Sequence, residues 1–264
     1  MTAPVVPLMS ARLKRLWDTP FPWFLPVVHT AEPYVSTNAD LARAVDETIE
    51  NVRIVAEAGA DGVFFINQNI NVSCFIALVE ALCDCDSFQH LPMGINLLGL
   101  SLSTLVDAGR TLDVDMLWAD EAAPGLMLPV RAKFPGPYFG GVGFKYQRDL
   151  PPDGVGPALA ACAGVVDFVT TSGYATGVAP PREKLDFYAD RLLPGQRLAV
   201  ASGMSEENLE ELVLDDRREG GLRVHAVLVA SSIEASVGKK VLVGKIDREK
   251  AQRMGKVFER IKQR

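Results

Sequence analysis

The sequence predicts a single (β/α)8 barrel, and three observations lead there. Apolar runs of strand length recur eight times, at residues 24–29, 62–67, 92–97, 115–119, 138–145, 166–171, 197–202 and 224–230, with helix-like segments between them. Val63-Phe-Phe-Ile66 and Ala226-Val-Leu-Val-Ala230 are apolar throughout, as parallel strands covered on both faces require. The length of 264 residues is that of one α/β barrel, a fold that uses about 250, so residues 1–264 are read as one domain with residues 1–20 as an N-terminal extension.

Taken in order, residues 8–17 suit a short amphipathic helix through Leu8, Leu13, Leu16 and Trp17, placed as a plug over the N-terminal end of the barrel. The longest helical signal runs from Thr37 to Ala58, with Leu41, Ala44, Val45, Ile49, Val52, Val55 and Ala56 at three- and four-residue steps. Thr37 and Asp40 form its capping pair and Gly59 its stop. Asp61, Asp115 and Asp167 each stand at the start of an apolar run, a weak repeat that marks the lower rim. The last helix spans 247–261, with Met254, Val257, Phe258 and Ile261 turned inward.

Composition narrows the function. A formal charge of −6 leaves no basic surface for nucleic acid or an anionic membrane. The N-terminal residues lack the charged-then-apolar order of a secretion signal, and no apolar run reaches membrane-spanning length, so a cytoplasmic location is expected. Cys83 and Cys85 are separated by a single residue with no histidine at ligand spacing, so Cys74, Cys83, Cys85 and Cys162 read as free thiols, and no metal or other cofactor is expected. Sequences of the G-x-S-x-G, GxGxxG and Walker A types do not occur, which removes support for serine-nucleophile, dinucleotide and ATP-loop readings.

In a barrel of this kind the functional rim is the C-terminal end of the strands, and polar residues gather there. They are His29 and Thr30, Asn67 to Asn69, Asn96, Asp120 and Glu121, Lys145, and Thr170 to Ser172, before the glycine-flanked loop Gly173–Gly177, which suits a cover. The last two strands run into Ala201-Ser-Gly-Met-Ser-Glu-Glu-Asn208 and Ala230-Ser-Ser-Ile-Glu234. Small residues there expose main-chain N–H groups at a following turn or helix, and helix N-termini attract anions. Ser202, Gly203, Ser231 and Ser232 are therefore read as a phosphate grip, assisted by Thr171, Ser172 and Gly173.

Side chains alternate along a strand. Gly141, Gly143 and Lys145 would then share one side of the fifth strand, and Gly94 and Asn96 one side of the third, leaving interior room for a ligand or for a large neighbour such as Trp118 or Phe65. Lys145 would serve as phosphate counter-ion, proton carrier or Schiff-base amine; the competing reading is a surface-paired lysine. Of the adjacent Asp120 and Glu121 only one reaches the interior, and Asp120 is assigned to it, against a salt-bridged loop carboxylate. His29 is a candidate acid or base, against a hydrogen-bonded core histidine, while His90 and His225 precede strands and read as structural.

Several of these segments resemble one family. Val27-Val-His-Thr30, Ala58-Gly-Ala-Asp-Gly-Val63, Gly94-Ile-Asn-Leu-Leu98, Thr171-Ser-Gly-Tyr-Ala-Thr-Gly177 and Ala201-Ser-Gly-Met-Ser-Glu-Glu-Asn208 are similar to the BtpA family of TIM-barrel proteins, named for a role in photosystem I biogenesis. Where that family carries Glu-Asn-Phe-Gly-Asp after the second strand, this chain has Ile66-Asn-Gln-Asn-Ile70, and the family's Asp and His on the fifth strand stand here as Gly141 and Gly143, with Lys145 kept. The expected function is binding of a small phosphorylated metabolite followed by a lyase or isomerase step. Lys145 and Asp120 would exchange protons, His29 would assist, and Asn67 and Asn96 would orient the substrate. The alternatives are a phosphohydrolase of the same substrate class and a non-catalytic ligand-binding or assembly protein. A homo-oligomer is expected.

Overall fold

Eight parallel strands close on themselves in chain order. The computed structural model describes residues 9–30, 34–145, 147, 150–237 and 240–264; Leu8, assigned above to the first helix, lies outside them. The barrel strands are β1 (Trp23–Val28), β2 (Val63–Ile66), β3 (Met93–Asn96), β4 (Met116–Ala119), β5 (Tyr138–Gly141), β6 (Phe168–Thr171), β7 (Arg197–Val200) and β8 (Ala226–Val229). Around them run the helices α2 (Asn38–Glu57), α3 (Val72–Cys83), α4 (Leu102–Thr111), α5 (Pro124–Arg131), α6 (Pro152–Ala161), α7 (Arg182–Ala189), α8 (Leu209–Val213) and α9 (Arg248–Lys262), after a short α1 (Ala11–Asp18). Closure is made by β1 on β8, with Trp23 opposite Ala226 and Pro26 opposite Val229.

Alternation sorts the strand residues into two cores. Trp23, Leu25, Val27, Phe64, Ile66, Met116, Trp118, Phe139, Phe168 and Leu228 fill the barrel interior, while Phe24, Val28, Val63, Phe65, Leu117, Val169 and Val227 face the helices. Large rings dominate one part of the interior, where Phe139 stacks on Phe168 at 4.3 Å, and Ala199, Ala201 and Ala226 of β7 and β8 complement them. Gly94 belongs to the same jigsaw. A Cβ there would lie 2.4 Å from the Phe64 ring, so the space is already taken by Phe64, not Phe65.

The aspartate repeat has a physical function. Asp61 accepts the N–H of Phe24 at 2.7 Å, Asp115 that of Met93 at 3.1 Å and Asp167 that of Tyr138 at 2.8 Å. Each carboxylate before an even strand thus pins the start of the odd strand beside it. Lys262, Arg12 and Arg131 neutralise the three in turn, at 2.6, 2.8 and 2.6 Å. Burial still pushes Asp61 and Asp115 above the ordinary carboxylate range. Arg12 and Ser10 reach Asp115 from α1, and Trp17 packs on Trp23 and Phe168, so α1 does plug the lower end.

Two expectations need correction. β5 ends at Gly141, because Gly143 takes a left-handed φ of 56° and turns the chain away. Gly141, Gly143 and Lys145 therefore share no strand face. The second correction lies after β8, where an antiparallel hairpin, β9 (Glu234–Val237) and β10 (Lys240–Ile246), precedes α9. Buried Asn51 of α2 holds it, donating to Gly244 O at 2.8 Å and accepting from Ile246 N at 3.1 Å.

Helix α9 locks the ring by close approach to the end of α2. A Cβ on Gly255 would lie 1.8 Å from the carbonyl oxygen of Ala58, which is main chain and cannot swing aside. Gly255→Ala is expected to cost about 1–3 kcal/mol through overpacking, measured as a lowered urea midpoint; an unchanged midpoint would show that α9 sits on α2 more loosely than this contact implies.

Candidate functional site

The strand C-termini open into a cavity of roughly 780 Å³. Among the residues that line it are His29, Asp120, Lys145, Ser202, Gly203, Ser231 and Ser232, so the structure gathers seven of the sequence-predicted site residues around one space. Its floor is apolar, formed by Val27, Ile66, Trp118, Ala201 and Leu228. Thr176 and Gly177 reach it from the loop after β6, and Val241 and Val243 from β10.

The loop after β7 is shaped by its own residues. Gly203 has a φ of 63°, and a Cβ there would lie 2.0 Å from Ala179 N, so only glycine lets the loops after β6 and β7 meet. Asn208 then ties the turn, accepting from Ser205 N at 2.8 Å and donating to Gly203 O at 2.9 Å. Ser202 donates its hydroxyl to Ala175 O at 3.0 Å. Beside it, the loop after β8 is a tight turn closed by Ile233 N–H on Ala230 O. The main-chain N–H groups of Ser202, Gly203, Ser231 and Ser232 take no hydrogen-bond partner among the described residues. Neither loop opens directly into a helix: α8 starts only at Leu209 and is five residues long, and β9 follows Ser232. The expected helix-dipole contribution is therefore missing because the hairpin replaces it, and any anion would be held by the amides themselves.

Across the mouth, Asp120 continues the inward parity of Met116 and Trp118, while Glu121 is not among the lining residues. Burial raises the Asp120 carboxyl above its ordinary range, partly offset by the amide of Asn96, which donates to Oδ1 at 3.0 Å, and by the positive charge of Lys145. The main chain of Asp120 is seated on Gly141, whose Cβ would lie 1.8 Å from the Asp120 carbonyl oxygen. Gly141 is thus filled by a neighbour and leaves no interior room. Lys145 stands in the turn after β5, fixed where its N–H donates to Ser172 Oγ at 2.7 Å.

The other five predicted residues serve the scaffold. Asn96 is buried beneath Asp120 and orients it. Asn67 exchanges hydrogen bonds with the main chain of Leu98, accepting at 2.6 Å and donating at 3.2 Å, which spends its amide on the loop after β3. Thr171 and Ser172 are fully buried; Ser172 donates to Gly173 O at 2.8 Å, and Lys184 crosslinks the Ser172 and Gly143 carbonyls at 2.8 Å each. Gly173 packs against the main chain of Val178, where a Cβ would lie at 2.1 Å. None of these lines the cavity.

Glu234, which the sequence reading missed, is 1% exposed and lines the cavity from β9. Its Oε1 lies 3.0 Å from His29 Nδ1 and accepts Gly244 N–H at 2.8 Å. A carboxylate holding a histidine by Nδ1–H leaves Nε2 as the nitrogen able to accept a proton. Among the described residues no three His, Cys, Asp or Glu side chains are grouped to hold a metal ion, and no helix is long and apolar enough to cross a membrane.

No family model and no curated protein matches the chain. Solved structures do. Phosphoribosyl anthranilate isomerase from Thermus thermophilus matches with a TM-score of 0.59 at 16% identity, over 90% of this chain and 99% of its own. A native KDPGal structure gives 0.63 at 14%, over 94% and 99%. The 4-hydroxy-2-oxoglutarate/2-dehydro-3-deoxyphosphogluconate aldolase from TTHB1 gives 0.56 at 15%, over 96% and 98%. At these identities the likeness is one of fold.

The contact with Glu234 makes the tautomer of the His29 ring testable without a substrate. Nitrogen-15 shifts of the neutral imidazole should report Nδ1–H both in the unaltered protein and in Glu234→Gln, which keeps an acceptor oxygen, whereas Glu234→Leu should release the Nε2–H form. An Nε2–H ring in the unaltered protein would contradict the assignment.

Proposed function

We propose that the cavity binds a small phosphorylated metabolite and that the chain acts on it as a lyase or isomerase. The observation that carries this reading is the pairing of Ser202 and Gly203 with Ser231 and Ser232, residues that line the cavity after adjacent strands and whose N–H groups have no partner among the described residues. This is where barrels of this fold hold phosphate, in the loops after strands seven and eight. The names of two similar folds carry phosphorylated compounds, phosphoribosyl anthranilate and deoxyphosphogluconate, which agrees with the proposal.

The residues facing that grip supply acid and base. Asp120, whose carboxyl burial raises above its ordinary range, is suited to exchange a proton, and Lys145 lines the same cavity. His29, oriented by Glu234, offers a second proton acceptor. Proton transfer at carbon between such groups is a step that lyases and isomerases need, and each positioned group contributes about 10²–10⁴-fold. Membership of the BtpA family is part of the proposal and rests on the segments Thr171–Gly177 and Ala201–Asn208.

One observation favours a non-catalytic binder instead. At the two positions where that family carries acid and imidazole, a side chain has no place: Gly141 is filled by the Asp120 main chain, and a Cβ on Gly143 would meet the Tyr188 hydroxyl at 2.2 Å. Chemistry must then run on Asp120, Lys145 and His29, and the two readings separate on turnover.

Calorimetry with inorganic phosphate should show binding that Ser231→Asp combined with Ser232→Asp weakens by about tenfold or more, since two carboxylates face the anion; undiminished binding would place the anion elsewhere. With a converted phosphorylated substrate in hand, Lys145→Ala should lower turnover by about 10²-fold or more, and an unchanged rate would remove Lys145 from the proton path.

A further inference from the structure

We infer that the ligand is a phosphate monoester whose organic part ends in an aromatic ring or a branched hydrocarbon, in preference to a polyhydroxylated chain. The inference rests on the phosphate reading above and adds the apolar part of the cavity lining. In a barrel closed in chain order, β3 and β4 stand opposite β7 and β8. On that far side Leu98 and the floor residue Trp118 line the cavity beside Asp120, and the hairpin, which leaves the loop after β8 and is held on α2, adds Val241 and Val243 at the mouth.

The two valines are the informative residues. They stand two apart on β10 and line the cavity, whereas Leu242 between them does not, as strand alternation requires. A strand over a sugar-binding mouth would offer hydroxyls, amides or carboxylates there; this one offers branched hydrocarbon. Nor is the hairpin loosely placed. Asn51 holds Gly244 and Ile246 from α2, and the buried Glu234 carboxylate holds Gly244 from the other strand, so the valines are fixed at the mouth.

Chemistry is thereby divided along the ligand. Main-chain N–H groups take the phosphate, and His29, Asp120 and Lys145 border the same space. Leu98, Trp118, Val241 and Val243, which line the same cavity from different sides, take a group with no hydrogen bonds to make. Hydroxyls pressed against these side chains would lose water without gaining partners, a cost that lowers the affinity of a polyhydroxylated chain. A cavity of roughly 780 Å³ also accommodates more than a phosphate on a three-carbon chain, within the range of about 300–1,000 Å³ that holds larger organic ligands.

The test compares inorganic phosphate, phenyl phosphate and glycerol 3-phosphate by calorimetry at one ionic strength. Phenyl phosphate should bind about tenfold or more tightly than glycerol 3-phosphate, a ratio that apolar contact of this size supplies. Val241→Ser combined with Val243→Ser should remove most of that advantage and leave inorganic phosphate binding unchanged. Leu98→Ser, on a half-exposed loop independent of the hairpin, should reduce it in the same direction if the double variant unfolds. Equal affinity for the two esters, or an aryl preference that both variants leave intact, would overturn the inference while the phosphate grip stands. Failure of inorganic phosphate and both esters to bind would overturn the phosphate reading and this inference with it.

Discussion

Everything at the upper rim depends on the pairing of β1 with β8. Trp23 to Pro26 run in register with Ala226 to Val229, and that register closes the cylinder, fixes which residues alternate inward and brings the loops after β7 and β8 to the same mouth as His29. The interior tolerates the closure because sizes complement one another. Trp23, Phe64, Phe139 and Phe168 are accommodated by Gly94, Ala199 and Ala226, as the density of protein interiors demands. A barrel interior packed with rings to this depth leaves space for a ligand only above Trp118.

The two ends of the cylinder have different tasks. At the lower end, Asp61, Asp115 and Asp167 saturate strand N–H groups and are themselves neutralised by Lys262, Arg12 and Arg131. Those carboxylates are consumed by the scaffold. At the upper end, Asp120 has the amide of Asn96 and the field of Lys145, and four main-chain N–H groups have no partner among the described residues. Polar groups left unsatisfied beside a cavity are what a ligand can use, which separates the functional rim from the stabilising one.

Much of this is legible in the residues, for identifiable reasons. Parallel strands covered on both faces read as unbroken apolar runs, so eight strands are legible from hydrophobicity, while closure in chain order is expected from the βα repeat and the chain length and is shown by the structure. Strand parity separates Asp120 from Glu121. Lys145 reaches the cavity, but through a turn initiated by Gly143, not along a longer β5. Asn67, Thr171 and Ser172 show the limit of strand-end reasoning: small polar side chains at a rim find main-chain partners in neighbouring loops as readily as they find a ligand, and here they do. The hairpin was missed because a helix is expected after the eighth strand. Its signal was present in the β-branched run Val241-Leu-Val243 close behind the glycine that follows Val237, a pattern of strand and turn. With it went Glu234 and the two valines, the residues that give the mouth its second wall.

The central claim is that main-chain amides after β7 and β8 form an oxyanion pocket. A crystal structure grown in inorganic phosphate tests it most directly. The account requires an anion within about 2.7–3.2 Å of the N–H groups of Ser202 or Gly203 on one side and of Ser231 or Ser232 on the other. Phosphate located elsewhere, or those N–H groups turned onto carbonyl oxygens of the chain itself, would contradict it.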